Sequence, residues 1–305
     1  MNDLIFLCAL TLKASMAVLY AALGEVVAER SGVINLGQEG MLLFGAMTGF
    51  AAGHATGSAT LAFIAAGAAC ALLAGLHGLF AIRLGANQLL SGIALTILGA
   101  SLANYLGQPL IGLSGPRQGD LPLPLLKDIP VLGPVFFNQN LLVYLGFALT
   151  ALVWFVLART RWGLTLRACG ENPTAADAMG VNVARTRFAA VMAGGFFTGL
   201  GGAYLSLAFT PGWKEGMSGG QGWIAVAMVI FAGWRPFPAL AGALLFGILS
   251  AAQFLFQATG QQLAPMYILR ILPYLLTILT LSLALLLGRK SQAPAGLGQP
   301  FYRER

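Results

Sequence analysis

The sequence predicts an all-α fold: a polytopic transmembrane helical bundle of about nine spanning helices, with a short cytoplasmic helix held outside the membrane. Three observations predict it. Among 305 residues only 17 are Lys or Arg and 10 are Asp or Glu, so charged types make up 9%. A soluble domain carries about a quarter. Hydrophobic types reach 58% and the mean hydropathy is +0.80. The apolar residues gather into runs close to the roughly 20 residues that a spanning helix needs. Too few charges remain to cover a water-facing surface, which excludes a soluble enzyme, a secreted disulfide scaffold and a disordered chain.

The first run, 4–23, lacks the basic leading residues of a cleavable signal and is long enough to span, so it reads as a helix. Further runs occupy 41–56, 61–82, 89–106, 140–157, 188–209, 222–233, 237–256 and 267–287. The run at 222–233 reaches only about 18 Å of a ~30 Å core at 1.5 Å per residue. It is extended upstream, tilted in a thin slab, or re-entrant. Lys13, inside the first run, is expected to face the bundle and pair with Glu25 or Glu39, or else to snorkel.

Charge placement gives orientation. The segment 159–187 carries Arg159, Arg161, Arg167, Arg185 and Arg187 against Glu171 and Asp177. The tail 288–305 carries Arg289, Lys290, Arg303 and Arg305 against Glu304. Both belong in the cytoplasm by the positive-inside rule, as does Arg83, and the C-terminus is then cytoplasmic. A re-entrant 222–233 would flip the basic tail outside, so the rule favours a full span there. The loop 107–139 balances Arg117 and Lys127 against Asp120 and Asp128 and holds six prolines, which reads as an ordered external loop. Lys214 and Glu215 cancel and place their loop outside as well. The net charge of +7 is read as this loop bias, with no nucleic-acid partner implied. The whole chain, 1–305, is one transmembrane domain.

Gly45, Gly49, Gly53 and Gly57 recur every four residues, as do Ala239, Ala243, Gly247 and Ala251. Each set forms a ridge of small residues suited to close helix packing, with a water-lined path as the other reading. Cys8, Cys70 and Cys169 give neither a disulfide framework nor a metal spacing. His54 and His77 sit in apolar stretches and read as satisfied imidazoles rather than metal ligands.

Two segments carry mechanism. The first, GEVVAERSGVINLGQEG at 24–40, sets Glu25, Glu29, Arg30, Asn35, Gln38 and Glu39 beside an apolar helix. Gly32, Gly37 and Gly40 permit irregular backbone, which a membrane tolerates only where it lines a cavity or is buried in protein. Asn35 and Gln38 can donate and accept, as a neutral polar solute requires. A loop with capping residues is the competing reading, and composition does not separate the two. The second segment is RACGENPTAADAMGVNV at 167–183. Asn172 is an N-cap and Pro173 a residue pre-set for the first helical position. Gly180 is a natural stop. The two-turn helix between them is too short to stand alone in water, so it docks on its own chain or on a partner. No lysine follows a glycine, so no GxxxxGK[ST] phosphate loop exists. No HExxH or GxSxG motif supports a membrane enzyme either, and no cofactor is expected on this chain.

ERSGVINLGQEGMLLFGAM (29–47), RACGENPTAADAMGVNVARTRFAAVMAGGFFTGLGGAYLSL (167–207) and GWIAVAMVIFAGWRPFPALAGALLFG (222–247) resemble the permease subunits of ATP-binding cassette importers. The family is that of branched-chain amino acid, ribose and nucleoside permeases, and the simple-sugar and nucleoside branch is the most similar. The resemblance implies a second homologous permease, a cytoplasmic ABC ATPase that binds the ATP, and an extracytoplasmic substrate-binding protein or lipoprotein, in the lipid of the cell's inner membrane. It implies a substrate pathway near Asn35, Gln38 and Glu39. It also implies that Arg167, Gly170, Glu171, Asn172, Pro173, Ala176, Met179 and Gly180 form the ATPase-coupling segment, with Ala175, Ala176 and Met179 as its packing face. An ion-coupled secondary transporter of a small polar solute is the alternative, for which Glu39 is the candidate intramembrane carboxylate.

Overall fold

The computed structural model describes residues 2–124, 126–259, 271–272, 275, 278–279, 282 and 292–302. They form a helical bundle: α1 (Asn2–Arg30), α2 (Gln38–Thr56), α3 (Ala59–Gly78), α4 (Gln88–Gly107), α5 (Leu141–Arg159), α6 (Arg161–Glu171), α7 (Pro173–Ala178), α8 (Val183–Tyr204), α9 (Gln221–Phe231) and α10 (Pro236–Thr259). π-helical turns continue α3 over Leu79–Arg83 and α8 over Leu205–Phe209. Among the described residues six helices, Leu4–Arg30, Ala59–Arg83, Gln88–Leu110, Leu141–Arg159, Val183–Phe209 and Pro236–Leu255, are long and apolar enough to cross a membrane. The expected span at 41–56 is α2, which runs through the interior against α3, α4, α8 and α9. The expected span at 267–287 lies mostly outside the described residues.

Small residues set the packing. A Cβ on Gly24 would lie 2.4 Å from the Gly194 carbonyl oxygen, so α1 and α8 meet backbone to backbone. On α2, Gly45 meets Gly199 and Gly49 meets Ala203. Gly57 leaves this ridge: it ends α2 in the left-handed conformation, with open space around it. On α10, Gly247 rests on the Thr11 carbonyl and Ser15 of α1. Without a hydrophobic drive between helices in lipid, such close approach supplies the attraction.

The bundle has two ends. One, the basic end, gathers Arg30, α6, α7 and residues 292–302. At the far end, 108–140 folds into an ordered cap with a two-stranded antiparallel hairpin, β1 (Asp120–Pro122) and β2 (Asn138–Asn140). This cap explains Lys13. Its ammonium bonds both carboxylate oxygens of Asp120 at 2.8 Å, so the expected pairing with Glu25 or Glu39 is replaced by an ion pair to the cap. Lys13 stands 17 residues before the end of α1, about 25 Å along the axis, near the far face of a ~30 Å core.

The short run at 222–233 is resolved by α9. Trp213 packs on Gly107 at the far end, while Trp234, just past α9, bonds Glu29 at the basic end. The crossing between them is irregular, turn-rich chain over 210–220 followed by an 11-residue helix. After Lys214 and Glu215, in the loop expected outside, the chain re-enters the bundle, where Ser218 and Gly220 meet Glu39. Gly212, Gly216, Gly219 and Gly220 have φ of 133, 63, 57 and 86°, which only glycine adopts without strain.

Candidate functional site

Glu25 and Glu29 lie on α1 and are buried, at 0% and 3% exposure. Buried carboxyl groups require partners. Glu25 accepts from the Asn35 backbone N–H at 2.8 Å and from the Gln38 side-chain amide. The Gln38 oxygen accepts from the Thr198 hydroxyl of α8 at 2.5 Å. Asn35 turns its side-chain oxygen onto the Gly37 N–H at 2.9 Å. The connection 31–37 is thus an irregular turn folded back against α1.

Side chains from two further helices pin the same turn. Gln88 of α4 accepts from Ile34 N at 2.8 Å, and Thr96 donates to Leu36 O at 2.7 Å. His77 of α3 is buried at 1% exposure, with its ring nitrogens 3.0 Å from Ile34 O and from Ser91 Oγ. It is a satisfied core imidazole, as expected. Asn35 and Gln38 are each 1% exposed, and the groups that hold them are the protein's own.

Glu39 differs from its neighbours. Its carboxylate accepts from the Ser218 hydroxyl at 2.7 Å, Gly220 N at 2.9 Å and Gly222 N at 2.7 Å. It therefore caps the N-terminus of α9, where the first N–H groups lack helical partners and the dipole favours an anion. Gly40 abuts the Thr96 backbone, eight residues into α4, which places this cap about 12 Å inside the basic end. Beside it, Lys214, Glu215, Gly216 and Gly219 are exposed. The backbone N–H groups of 213–218 donate to no described residue.

At the basic end, Asn172 caps α7 as expected: its Oδ1 accepts from Ala175 N at 3.0 Å. Pro173 opens the helix, and Gly180 closes it at φ 84°. Met179 is 85% exposed, and Asn172 and Ala175 are also exposed. Two members of the expected partner-facing set point elsewhere. Ala176 is buried with Cys169 and Val183, and Gly170 lies against the Arg30 carbonyl. They hold this loop's own fold because α7, at six residues, needs a surface to rest on. Arg167 is half-buried over α6. Glu171 is exposed and accepts from Ala295 N at 3.1 Å.

Sequence reasoning counted Arg187 only as a loop charge. It is buried at 2% exposure, and its guanidinium donates to Ser31 O at 3.0 Å, Gln299 O at 3.0 Å and Cys169 O at 3.1 Å. The signal was present. Val183, Arg187, Ala190, Val191, Gly194 and Thr198 form the buried stripe of α8 at helical spacing, and Arg187 falls on it.

Comparison with known proteins agrees with this architecture. Residues 8–281 match the family described as branched-chain amino acid transport system / permease component. A Haloferax volcanii protein, TsgC13, provisionally named a glucose ABC transporter permease, is 40% identical, covering 96% of each chain. The guanosine ABC transporter permease NupQ of Bacillus subtilis is 36% identical over 96% of this chain and 95% of its own. The nucleoside ABC transporter permease NupC of Lactococcus lactis is 33% identical over 100% of this chain and 99% of its own. No solved structure matches. With a family match over most of its length, and helices able to carry it through a membrane many times, the chain belongs to the branched-chain amino acid transport system permease family and is a multi-pass permease subunit of an ABC importer.

Proposed function

We propose that this permease carries nucleosides or related simple sugars across the cell's inner membrane, with a second homologous permease. A cytoplasmic ABC ATPase drives it and an extracytoplasmic binding protein or lipoprotein supplies the solute. The observation that carries the pathway reading is the unwound crossing at 210–220 beside Glu39. Irregular backbone whose N–H groups meet no described partner does not face lipid at membrane depth. Water, solute or the second permease covers it. Asn35 and Gln38 hold the turn behind this wall, and Glu39 fixes where α9 begins.

The basic end is cytoplasmic in this reading, as the arginines demand, and the segment 292–302 lies there too. Met179, Asn172 and Ala175 are the exposed surface of α7 that seats on the ATPase, with Arg167 and Glu171 beside it. Pro173 and Gly180 fix its two ends, and Ala176 and Gly170 brace it from within. ATP is bound and hydrolysed on the partner, which passes its closure to α7 as a rigid-body shift.

The test is uptake of labelled guanosine, inosine and glucose by the reconstituted set of two permeases, ATPase and binding protein. ATP-dependent uptake of a nucleoside, competed by other nucleosides, is expected. Uptake of none of the three refutes the substrate class. Uptake that persists without the ATPase supports an ion-coupled carrier instead.

A further inference from the structure

Arg187 is the only buried arginine among the described residues, and its guanidinium meets no carboxylate there. A buried charge is costly unless it is fully hydrogen-bonded. Its three carbonyl partners come from three separate segments: Ser31 in the turn after α1, Cys169 in α6, and Gln299 in the segment 292–302. One rigid planar group therefore ties the coupling loop to the turn that leads into α2. Gly32 allows the approach, since a Cβ there would lie 2.6 Å from Arg187 Nη2.

The segment 292–302 is the second tie. Ala295 N donates to Glu171 at 3.1 Å and Gly296 N to Gly170 O at 2.8 Å, both at the end of α6. Gly298 N donates to Gly32 O at 3.1 Å, in the turn. Phe301 packs with Ala176 and Val183, and the Tyr302 hydroxyl reaches Gly85 O at 3.3 Å. The contacts alternate between the coupling loop and the short connections between spanning helices.

We propose that Arg187 and residues 292–302 form a strut that delivers displacement of α7 to the turn 31–37. From there the Glu25–Gln38–Thr198 bonds carry it to the start of α2, beside Glu39. Arg187 is a positioning residue: it touches neither nucleotide nor solute. The proposal rests on the reading that α7 seats on the ATPase, and the test separates the two.

The complete importer is reconstituted with four full-length variants. Met179→Asp alters the exposed tip of α7. Arg187→Gln and Arg187→Lys alter the hub. Gly296→Val with Gly298→Val displaces the strap, because a Cβ on Gly296 would lie 2.9 Å from Gly170 O and Gly298 holds φ 77°. Three quantities are read: ATPase co-purification, basal ATP hydrolysis, and solute transported per ATP. Met179→Asp is expected to lose the ATPase. The strap variant and Arg187→Gln are expected to keep the complex and its basal hydrolysis while transport per ATP falls at least tenfold, with Arg187→Lys intermediate. If Met179→Asp binds normally, the docking reading fails. If it loses the ATPase while the strap variant transports within twofold of the parent, the strut fails and docking stands. A strap variant that cannot bind the ATPase also overturns the strut, because the segment then serves assembly. Should Arg187→Gln not insert, the strap variant decides alone.

Discussion

Replacing Glu39 tests whether this carboxylate builds the pathway wall. Its oxygens take three hydrogen bonds from Ser218, Gly220 and Gly222. Glu39→Gln keeps the shape but turns one acceptor into a donor, so at least one of these donors loses its partner. A buried donor left unmatched costs about 1–3 kcal/mol. At 1.4 kcal/mol per decade, that raises the opening equilibrium of the first turn of α9 by about 5- to 150-fold. Glu39→Ala strips both amides and frees the Ser218 hydroxyl, for about 2–6 kcal/mol from the amides alone. Hydrogen exchange of the protein in lipid nanodiscs, read on a peptide covering 218–226, reports this opening. The expected order of exchange is parent, then Gln, then Ala, with α5 unaffected. Parent-like exchange in Glu39→Ala, or faster exchange in Gln than in Ala, would show that the carboxylate does not hold α9.

Gly40→Ala places a methyl group 2.4 Å from the Thr96 carbonyl oxygen, so α2 and α4 must part. Overpacking of this kind costs about 1–3 kcal/mol, read as a lower melting temperature in detergent. Asn172→Ala removes the cap of α7, worth about 0.5–2 kcal/mol, and speeds proteolysis near 172–180, whereas Asn172→Asp restores the parent pattern. Lys13→Met changes stability by only about 0–1 kcal/mol, because its ion pair with Asp120 is partly exposed; a shift that survives high salt contradicts this. Burial pushes the Cys169 thiol above its ordinary range despite the neighbouring Arg187. Its alkylation is therefore slower at pH 8 than that of an exposed cysteine and rises with pH past the usual thiol range, as maleimide labelling followed by mass spectrometry will measure.

Local signals were legible. The cap at Asn172, the stop at Gly180, the satisfied imidazole of His77 and the close packing of Gly45 and Gly49 all follow from residue type and spacing within one element. The path of 210–220 did not. Its charges cancel as in an outside loop, and only the contact of Ser218–Gly220 with a glutamate some 180 positions earlier draws it inward. The partner of Lys13 was missed for the same reason, since it lies 107 positions away, in β1 of the cap. The roles of Gly170 and Ala176 depended on which side of a six-residue helix rests on the protein, and so short a segment carries too few turns for periodicity to say.

The bond from Gly298 to Gly32 joins the segment 292–302, made after α10, to the turn that follows α1. Closing so large a loop adds little entropy beyond a shorter one, because that cost grows only with the logarithm of length. Its effect is on timing. During synthesis α1–α10 are all made before the piece that fastens the basic end is available. A nascent permease consequently passes through a stage in which α1–α10 are made while its basic end is still unfastened.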